Sequence, residues 1–244
     1  MKLLVSPRTV DGARAAIQGG ADIIDCKNPD EGSLGANFPW IIAEMKAMVD
    51  HAGTDKLEIS ATMGDMPFLP GTASLAATGI ASIGVDYIKI GVHGPRDQHQ
   101  ARSLLAAVVK ATRDVNDDIK IVAAGYADQS RINTSLPPMM LIEPASEAGC
   151  DVVMVDTSIK DGKSLLDFMT LEEMAAFCDA GVDGGMEVAL AGKVKIEHVP
   201  TLKRTGVGII GVRSAVCTGH DRVAGTIDST LVAKLKAMLS TITD

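Results

Sequence analysis

Residues 21–40 read ADIIDCKNPDEGSLGANFPW and contain a complete passage from strand to loop to helix. The passage opens with an apolar run over Asp22–Lys27, and Asn28 and Pro29 follow that run at once. A glycine-containing loop comes next, and a helical pattern begins near Phe38. A short aliphatic run that ends at turn residues is typical of a strand buried in a parallel sheet. The passage therefore predicts one unit of an α/β fold.

Asp25 and Lys27 lie two residues apart in this run, so on a strand their side chains point to the same face. A carboxylate beside a lysine at the end of a buried strand contributes little to an apolar core. The arrangement suits an amine nucleophile, because a desolvated lysine near other ionisable groups can have its pKa lowered toward neutrality. Asp25 and Lys27 are therefore the first candidate catalytic residues.

The same strand–loop–helix unit recurs along the whole chain, with no linker and no change of composition. The predicted strands cover Lys2–Ser6, Asp22–Lys27, Lys56–Thr62, Val85–Val92, Ile119–Ala124, Asp151–Val155, Met186–Leu190 and Val207–Val212. The predicted helices cover Val10–Gln18, Phe38–Val49, Thr72–Ile83, Gln98–Asn116, Met139–Ala148, Leu171–Ala180, Ile196–Arg204 and Ser229–Ile242.

This alternation of strands and helices predicts an α/β fold with a parallel sheet. Eight units in 244 residues predict a single (β/α)8 TIM barrel, with residues 1–244 as one domain. The alternative is an open, doubly wound sheet. No GxGxxG turn follows the first strand, and its absence favours the barrel.

Composition narrows the range of functions. Hydrophobic residues make up 46% of the chain and aromatic residues only 3%, which suits an aliphatic core between a parallel sheet and helices. The net charge is −8 and no basic patch is interleaved with aromatic residues, so we expect no nucleic acid partner.

No apolar run reaches the roughly 18 to 20 residues of a membrane span. The N-terminal run is too short for a signal peptide, so we expect a cytoplasmic protein without a membrane partner.

Neither the cysteines nor the histidines show the spacing of a metal site. The four cysteines are far apart and form no CxxC pair, so we expect reduced thiols and no structural zinc. Cys26 should face outward, opposite to Lys27, as a small core residue. We assign none of the five histidines as a ligand, and no metal is predicted.

In a barrel of this kind the active site lies at the carboxyl ends of the strands. The polar residues that end the runs are therefore the candidates for chemistry. They are Ser6 and Arg8, Asp25 and Lys27, Ser60 and Thr62, Tyr87 and Lys89, Asp156 and Lys160, and Arg213 and Ser214.

Lys27 and Lys89 each interrupt an otherwise aliphatic run. Either could be a surface lysine whose stem covers apolar atoms, but a parallel strand is covered on both faces. Two lysines that converge inside a barrel mouth lower each other's pKa, so one neutral amine can attack a carbonyl while the other moves protons. Tyr87 should share the face of Lys89, whereas Ile88 and Ile90 should face the helices.

Asp156 follows an apolar run directly, and Lys160 lies four residues further on in a loop. In one interpretation Asp156 caps a turn and Lys160 is an ordinary solvated charge. In the other, the two residues form a further carboxylate–lysine pair at the barrel mouth. We carry both residues forward as candidate catalytic residues.

The loops after the last two predicted strands have features of a phosphate-binding site. Gly192 and Lys193 end the seventh run, and Gly211, Arg213 and Ser214 end the eighth. Loops after the last two strands of such barrels often bind phosphate through backbone N–H groups, with a glycine that permits close approach. The alternative is that these glycines only form turns.

Six long segments are more specific than any single motif: IDCKNPDEGSLGANFPW, DYIKIGVHG, VAAGYAD, VDTSIKDGKSLLDF, LAGKVKIEHVP and GVRSAVCTGHDR. Together they resemble the (5-formylfuran-3-yl)methyl phosphate synthase family. The resemblance extends over essentially the whole chain. It departs mildly from the archaeal pattern at AGKVK and SAVCTGHDR and not at the lysines.

The resemblance implies a carbon–oxygen lyase that condenses two molecules of glyceraldehyde 3-phosphate to 4-(hydroxymethyl)-2-furancarboxaldehyde phosphate, with loss of phosphate and water. The product is a precursor of methanofuran-type cofactors. Lys27 would form the Schiff base, Lys89 would transfer protons, and Asp156 and Lys160 would complete the site. No metal or organic cofactor is implied. The implied partner is the small triose phosphate, and assembly into a homo-oligomer stays open.

Two phosphorylated trioses need two anion sites, and Arg213 with its loop can serve only one. Lys160, Lys193 and Arg8 are the candidates for the other. Two further functions remain as alternatives. One is another Schiff-base aldolase that acts on sugar phosphates, and the other is a barrel that binds a phosphorylated metabolite without catalysis.

Overall fold

Eight parallel strands close into a barrel in the order β1 to β8 in a computed structural model that describes residues 1–53, 56–132, 135–222 and 224–240. The strands are β1 Lys2–Val5, β2 Ile23–Cys26, β3 Glu58–Met66, β4 Tyr87–Val92, β5 Lys120–Tyr126, β6 Val152–Asp156, β7 Glu187–Leu190 and β8 Ile209–Val212. The helices are α1 Val10–Gln18, α2 Pro39–Asp50, α3 Pro70–Ala81, α4 Gln98–Arg113, α5 Ile142–Ala148, α6 Leu171–Asp183, α7 Val199–Lys203 and α8 Ser229–Ser240. No helix within these residues is long and apolar enough to cross a bilayer.

Closure of the barrel rests on β1, which pairs in parallel with strands on both of its sides. Leu4 lies opposite Ile23 of β2 and opposite Gly211 of β8. An open doubly wound sheet would leave its two outer strands unpaired on one side. The predicted (β/α)8 barrel is therefore confirmed and the doubly wound alternative is wrong.

The barrel interior holds a small apolar cluster, separate from the larger core between the sheet and the helices. The strand face of each residue decides which cluster it joins. Along β4, Tyr87 joins the interior cluster, whereas Ile88 and Ile90 join the outer core, as predicted. Cys26 also faces outward as predicted, where its Sγ lies 3.2 Å from Sδ of Met45 on α2.

Side chains cap several of the helices. Thr9 Oγ1 accepts a hydrogen bond from the backbone N–H of Gly12 at 3.2 Å, and Asp97 Oδ1 accepts one from Gln100 at 2.7 Å. At the start of α6, Thr170 and Glu173 form a reciprocal capping box. Such caps satisfy backbone N–H groups that have no partner within the helix, and so define where each helix begins.

β3 is longer than predicted. The predicted strand ends at Thr62 and the next predicted helix begins at Thr72, but the strand continues to Met66 through an irregularity between Thr62 and Asp65. Gly64 has a φ of 109°, a conformation that glycine adopts at little cost. The glycine therefore belongs to a bulge within the strand, and the extra residues carry Asp65 to the barrel mouth.

Two helices follow short 3-10 turns that the helical pattern did not distinguish. α5 begins at Ile142 after the turn Pro138–Leu141, whereas the prediction began this helix at Met139. α7 likewise follows the turn Ile196–His198. The predicted end of α8 at Ile242 lies outside the described residues.

The loop after β2 folds into the barrel mouth. Its Leu34 is fully buried in the interior cluster. The Asp65 carboxylate accepts hydrogen bonds from the backbone N–H groups of Ser33 at 2.8 Å and Leu34 at 3.2 Å, and from the Tyr126 hydroxyl. Thr62 Oγ1 donates to the Leu34 carbonyl at 2.6 Å. The loop therefore fills the mouth beside β3 and β5 and leaves space on the side of β1, β2 and β6–β8.

A charged cluster closes the opposite end of the barrel. Lys2 Nζ lies 2.8 Å and Lys120 Nζ 3.4 Å from the Glu58 carboxylate, and the Tyr87 hydroxyl donates to the same carboxylate at 3.0 Å. Burial would raise the pKa of Glu58, but the hydrogen bonds from Lys2 and Tyr87 lower it. Tyr87 was expected near the mouth together with Lys89. Because it precedes Lys89 by two residues on β4, its hydroxyl instead reaches the end that stabilises such barrels.

Candidate active site

A cavity of about 750 Å³ opens at the carboxyl ends of the strands. Seven lysine and arginine side chains line it, against three aspartates, in a chain whose net charge is −8. The seven cationic residues are Lys27, Lys89, Lys160, Lys163, Lys193, Arg213 and Arg222. The aspartates are Asp30, Asp156 and Asp221. A positive cavity in an acidic protein attracts and holds an anionic ligand.

Lys27 follows β2 directly and is buried, with its Nζ 3.4 Å from Oδ2 of Asp156. Burial lowers the pKa of Lys27 to about 7. This pKa is a net result, because the negative charge of Asp156 opposes burial whereas the positive charges of Lys160 and Lys89 act in the same direction as burial. A substantial fraction of these amines is therefore neutral near pH 7, and a neutral amine is a nucleophile.

Asp156 ends β6 and lies between two lysines. Its Oδ1 accepts a hydrogen bond from Lys160 Nζ at 2.8 Å and another from the backbone N–H of Thr157 at 2.7 Å. Burial would raise the pKa of Asp156, but the charges of Lys160 and Lys27 outweigh burial and hold the pKa well below its usual range. Asp156 therefore stays ionised and can orient the Lys27 amine. Its hydrogen bond to Thr157 also fits the turn cap considered above.

Lys89 and Asp25 form a second buried pair beneath Lys27. Lys89 Nζ lies 2.7 Å from Asp25 Oδ2, which also accepts a hydrogen bond from Ser6 Oγ at 2.8 Å. Asp25 is completely buried. Burial would raise its pKa, but the charges of Lys89 and Lys27 lower it. The carboxylate beside Lys27 in sequence thus bonds to the other lysine in space.

Two polar atoms inside the barrel have no hydrogen-bond partner among the described residues. They are Oδ1 of Asp25 and Oγ of Ser60, which lie opposite each other on β2 and β3. A buried polar atom without a partner is costly. The second oxygen of Asp25 is therefore available to accept a proton or a hydrogen bond beside Lys89.

The loops after β7 and β8 approach the cavity closely. Gly192 has a φ of 103°, and a Cβ there would lie 3.0 Å from the backbone nitrogen of Thr157. At Gly211 a Cβ would lie 3.0 Å from Cβ of Ala191. Arg213 donates from Nε to the carbonyl of Arg222 at 2.9 Å. Side chains at these two glycines would crowd the strand ends, so each glycine serves close packing as well as a turn.

The residues predicted to bind phosphate in the last two loops all line the cavity: Gly192, Lys193, Gly211, Arg213 and Ser214. Lys27, Lys89, Asp156 and Lys160 line it too, and Asp25 lies directly beneath. The structure therefore brings these catalytic candidates and the residues of the loops after β7 and β8 together around one cavity.

Arg8 does not belong to this group. Its guanidinium forms an ion pair with Asp30 at the surface, and it does not line the cavity. This position counts against the expectation that Arg8 holds a second anion. The side chain follows β1 by three residues, far enough for the loop to carry it outward.

Sequence reasoning missed three residues that line or support the site. Arg222 lines the cavity from the segment after β8. Asp65 holds the loop after β2, as described above. Asp128 accepts hydrogen bonds from the backbone N–H groups of Ser158 at 2.6 Å and Ile159 at 2.9 Å, and so holds the loop that carries Lys160. None of the three ends an apolar run, the main signal by which the sequence indicates candidates.

Within the described part of the chain, no group of three or more histidine, cysteine, aspartate or glutamate side chains is arranged to hold a metal ion. The four cysteines are buried and unpaired, as the sequence predicts.

A family model described as 4-HFC-P synthase matches residues 3–236. The (5-formylfuran-3-yl)methyl phosphate synthase of Methanocaldococcus jannaschii is 51% identical over 98% of this chain and 99% of that protein. The chain belongs to this family. The synthase of Archaeoglobus fulgidus is 52% identical over 96% of this chain and 97% of its own length. Membership of the synthase family makes this chain an enzyme and confirms the resemblance seen in the sequence.

Among solved structures, 3-hexulose-6-phosphate synthase is similar to this chain with a TM-score of 0.66. The two share 19% sequence identity, and the alignment covers 98% of this chain and 100% of the other. At this identity the similarity shows the fold alone.

Proposed function

We propose that this enzyme condenses two molecules of glyceraldehyde 3-phosphate to (5-formylfuran-3-yl)methyl phosphate through a Schiff base on Lys27. One phosphate and two molecules of water are released, as the balance of atoms requires. The single observation that carries the proposal is the buried Lys27 amine, with a pKa of about 7, beside Lys89 in a positive cavity. The names of the relatives supply the product. The proposed context is the biosynthesis of methanofuran-type cofactors.

The first step is attack of the neutral Lys27 amine on the aldehyde carbon of one triose, followed by loss of water. The resulting iminium carries a positive charge next to Asp156, which stays ionised and stabilises that charge. Lys160 holds the other oxygen of the same carboxylate, so Asp156 is fixed in position. The lysine–aspartate–lysine row therefore both orients the nucleophile and stabilises the intermediate.

The iminium withdraws electrons from the neighbouring carbon, so a proton there can leave and an enamine forms. The phosphate on the next carbon can then leave as the electron pair of the enamine moves toward it, or the enamine can attack the aldehyde of a second triose. Each route needs a group that takes up and returns protons. Lys89, hydrogen-bonded to Asp25 beneath Lys27, is the group we assign to this transfer.

The alternative of an ordinary Schiff-base aldolase uses the same lysine but gives a different product. An aldol addition of two trioses retains both phosphates, whereas the proposed condensation releases one. The alternative of a barrel that only binds a metabolite conflicts with membership of a synthase family. Product analysis is therefore the test that distinguishes the remaining candidates.

We expect the purified enzyme with glyceraldehyde 3-phosphate alone to release one inorganic phosphate for every two trioses consumed. Mass spectrometry should detect the furan phosphate, and chelation of metal ions should leave the rate unchanged. A bisphosphorylated six-carbon product without phosphate release would support the aldolase instead. Incubation with dihydroxyacetone phosphate, which has no aldehyde, is the matched control.

The rate of imine formation should rise as the pH increases through about 7 and level off above that pH. The Lys27 ammonium cannot attack a carbonyl, and burial lowers its pKa from the ordinary 10.5 to about 7, so the neutral fraction increases over this range. Enzyme and substrate are mixed at each pH, then quenched with borohydride at one fixed pH, and the mass of the adduct is read. A midpoint near that of an exposed lysine, about 10, would contradict the assignment.

A further inference from the structure

We propose that Arg222 binds the phosphate of the second, incoming triose, at an anion site separate from the one formed by Gly192, Arg213 and Ser214. The inference rests on the proposed function, which requires two phosphorylated trioses in one cavity. It assigns the second anion site to a residue that the sequence analysis did not select.

The cations of the cavity differ in whether they have a carboxylate partner. Lys27, Lys89 and Lys160 each lie within 3.4 Å of an aspartate oxygen. For the other cavity cations, no ion pair with a carboxylate is found in the described part of the chain. These are Lys163, Lys193, Arg213 and Arg222. They are the candidates for a ligand anion.

These four cations differ in how far their side chains are buried. Lys163 and Lys193 are exposed, so water satisfies their charges at little cost. Arg213 and Arg222 are partly buried, and burial lowers the pKa of each guanidinium. A partly buried cation without a carboxylate partner destabilises the empty site, and a bound phosphate can offset that cost with charge-assisted hydrogen bonds. The two arginines are therefore the cavity residues best suited to bind an anion.

Contacts on both sides of Arg222 hold this residue at the cavity. Cys217 and Ile227 form an antiparallel bridge that closes the segment around Arg222 at its base. The Arg222 carbonyl accepts the hydrogen bond from Arg213 Nε, and its own Nη2 donates to the carbonyl of Gly32 at 3.2 Å. The Arg222 side chain therefore spans from the segment after β8 to the loop after β2. Among the described residues the bond to Gly32 is the one hydrogen bond of the Arg222 guanidinium, which has five N–H donors in all.

The position of Arg222 fits the second triose better than the first. Arg213 and Ser214 directly follow β8, at the level of the strand ends, beside the close approach of Gly192. Arg222 lies further along the chain and bonds to the loop that follows Lys27. Arg222 and Lys27 line the same cavity, and the negative charge of Asp156 acts on the Arg222 guanidinium. Two phosphates on one arginine pair would repel each other, and separate sites avoid that cost.

The test separates binding of the first triose from binding of the second. In Arg222→Ala, the borohydride-trapped adduct on Lys27 should form with the same dependence on triose concentration as in the unmodified enzyme. Turnover at limiting substrate should fall about 10- to 100-fold, as expected for loss of a charged hydrogen bond. Arg213→Ala should instead shift the concentration dependence of adduct formation. Arg102→Ala, which removes an exposed arginine from α4, is the control and should change neither.

A second measurement keeps the proposal testable if the alanine variant folds poorly. Calorimetric titration with inorganic phosphate should find two sites in the unmodified enzyme and one in Arg222→Gln, which retains a polar side chain without the charge. A loss of adduct formation in Arg222→Ala equal to that in Arg213→Ala would overturn the separation into two sites. Unchanged turnover, or two phosphate sites in Arg222→Gln, would overturn the role of Arg222. If the unmodified enzyme forms no Lys27 adduct, the proposed function fails, while the phosphate titration still decides on Arg222.

Discussion

Lys27→Arg should abolish both the borohydride-trapped adduct and product formation. A guanidinium stays protonated throughout the accessible pH range and cannot form an imine. The arginine retains a positive charge beside Asp156, which it can still bond, so loss of activity would not follow from a stranded buried carboxylate. The measurement is the mass of the protein after incubation with glyceraldehyde 3-phosphate and borohydride, together with phosphate release.

Lys110→Arg is the matched control for this substitution. Lys110 is an exposed lysine on α4, paired with Asp114 at 2.8 Å, and its replacement should leave adduct and turnover unchanged. Peptide mapping decides between the two buried lysines. An adduct that maps to Lys89 and persists in Lys27→Arg would reverse the assigned roles. Activity that persists without any adduct would remove the Schiff base from the mechanism.

The barrel and the cluster of candidate residues at its mouth could be predicted from the sequence because both depend on local patterns. Alternation along a strand predicts that Lys27 faces away from Cys26 and that Lys89 faces away from Ile88, and the structure has Cys26 and Ile88 in the outer core. The rule that strand ends meet at one mouth then brought Asp156 to the same cavity. These inferences need only the two-residue period of side chains along a strand and the topology of the barrel. The structure confirms that topology.

The arrangement of partners within the site was not accessible in this way. Asp25 is the neighbour of Lys27 in sequence, yet its hydrogen bond goes to Lys89, because the tilt of the strands decides which side chains meet. Asp65 was assigned to a loop, since Gly64 reads as a turn signal as readily as a bulge. Arg222 lies well beyond the end of β8 in the sequence, yet it lines the cavity. Each of these depends on tertiary geometry that has no local signature.

Lys89→Ala should leave the Lys27 adduct detectable but reduce turnover by about 10² to 10⁴, the range typical of losing a general acid or base. Lys89 lowers the pKa of Lys27, so its removal should also move the midpoint for adduct formation to higher pH. The substitution removes the ion-pair partner of the buried Asp25 carboxylate, which costs about 3–5 kcal/mol of stability. Thermal unfolding must therefore be measured with the kinetics.

Lys89→Arg separates proton transfer from this loss of stability. The guanidinium can keep the ion pair with Asp25 but cannot release a proton near neutral pH. Turnover as low as in Lys89→Ala, in a variant that unfolds at the temperature of the unmodified enzyme, would assign the effect to proton transfer. Full turnover in Lys89→Arg would show that only the charge matters, and the proton would have to move through Asp25, whose second oxygen has no partner among the described residues. The two variants together therefore decide whether the lysine or the carboxylate beneath it carries the proton.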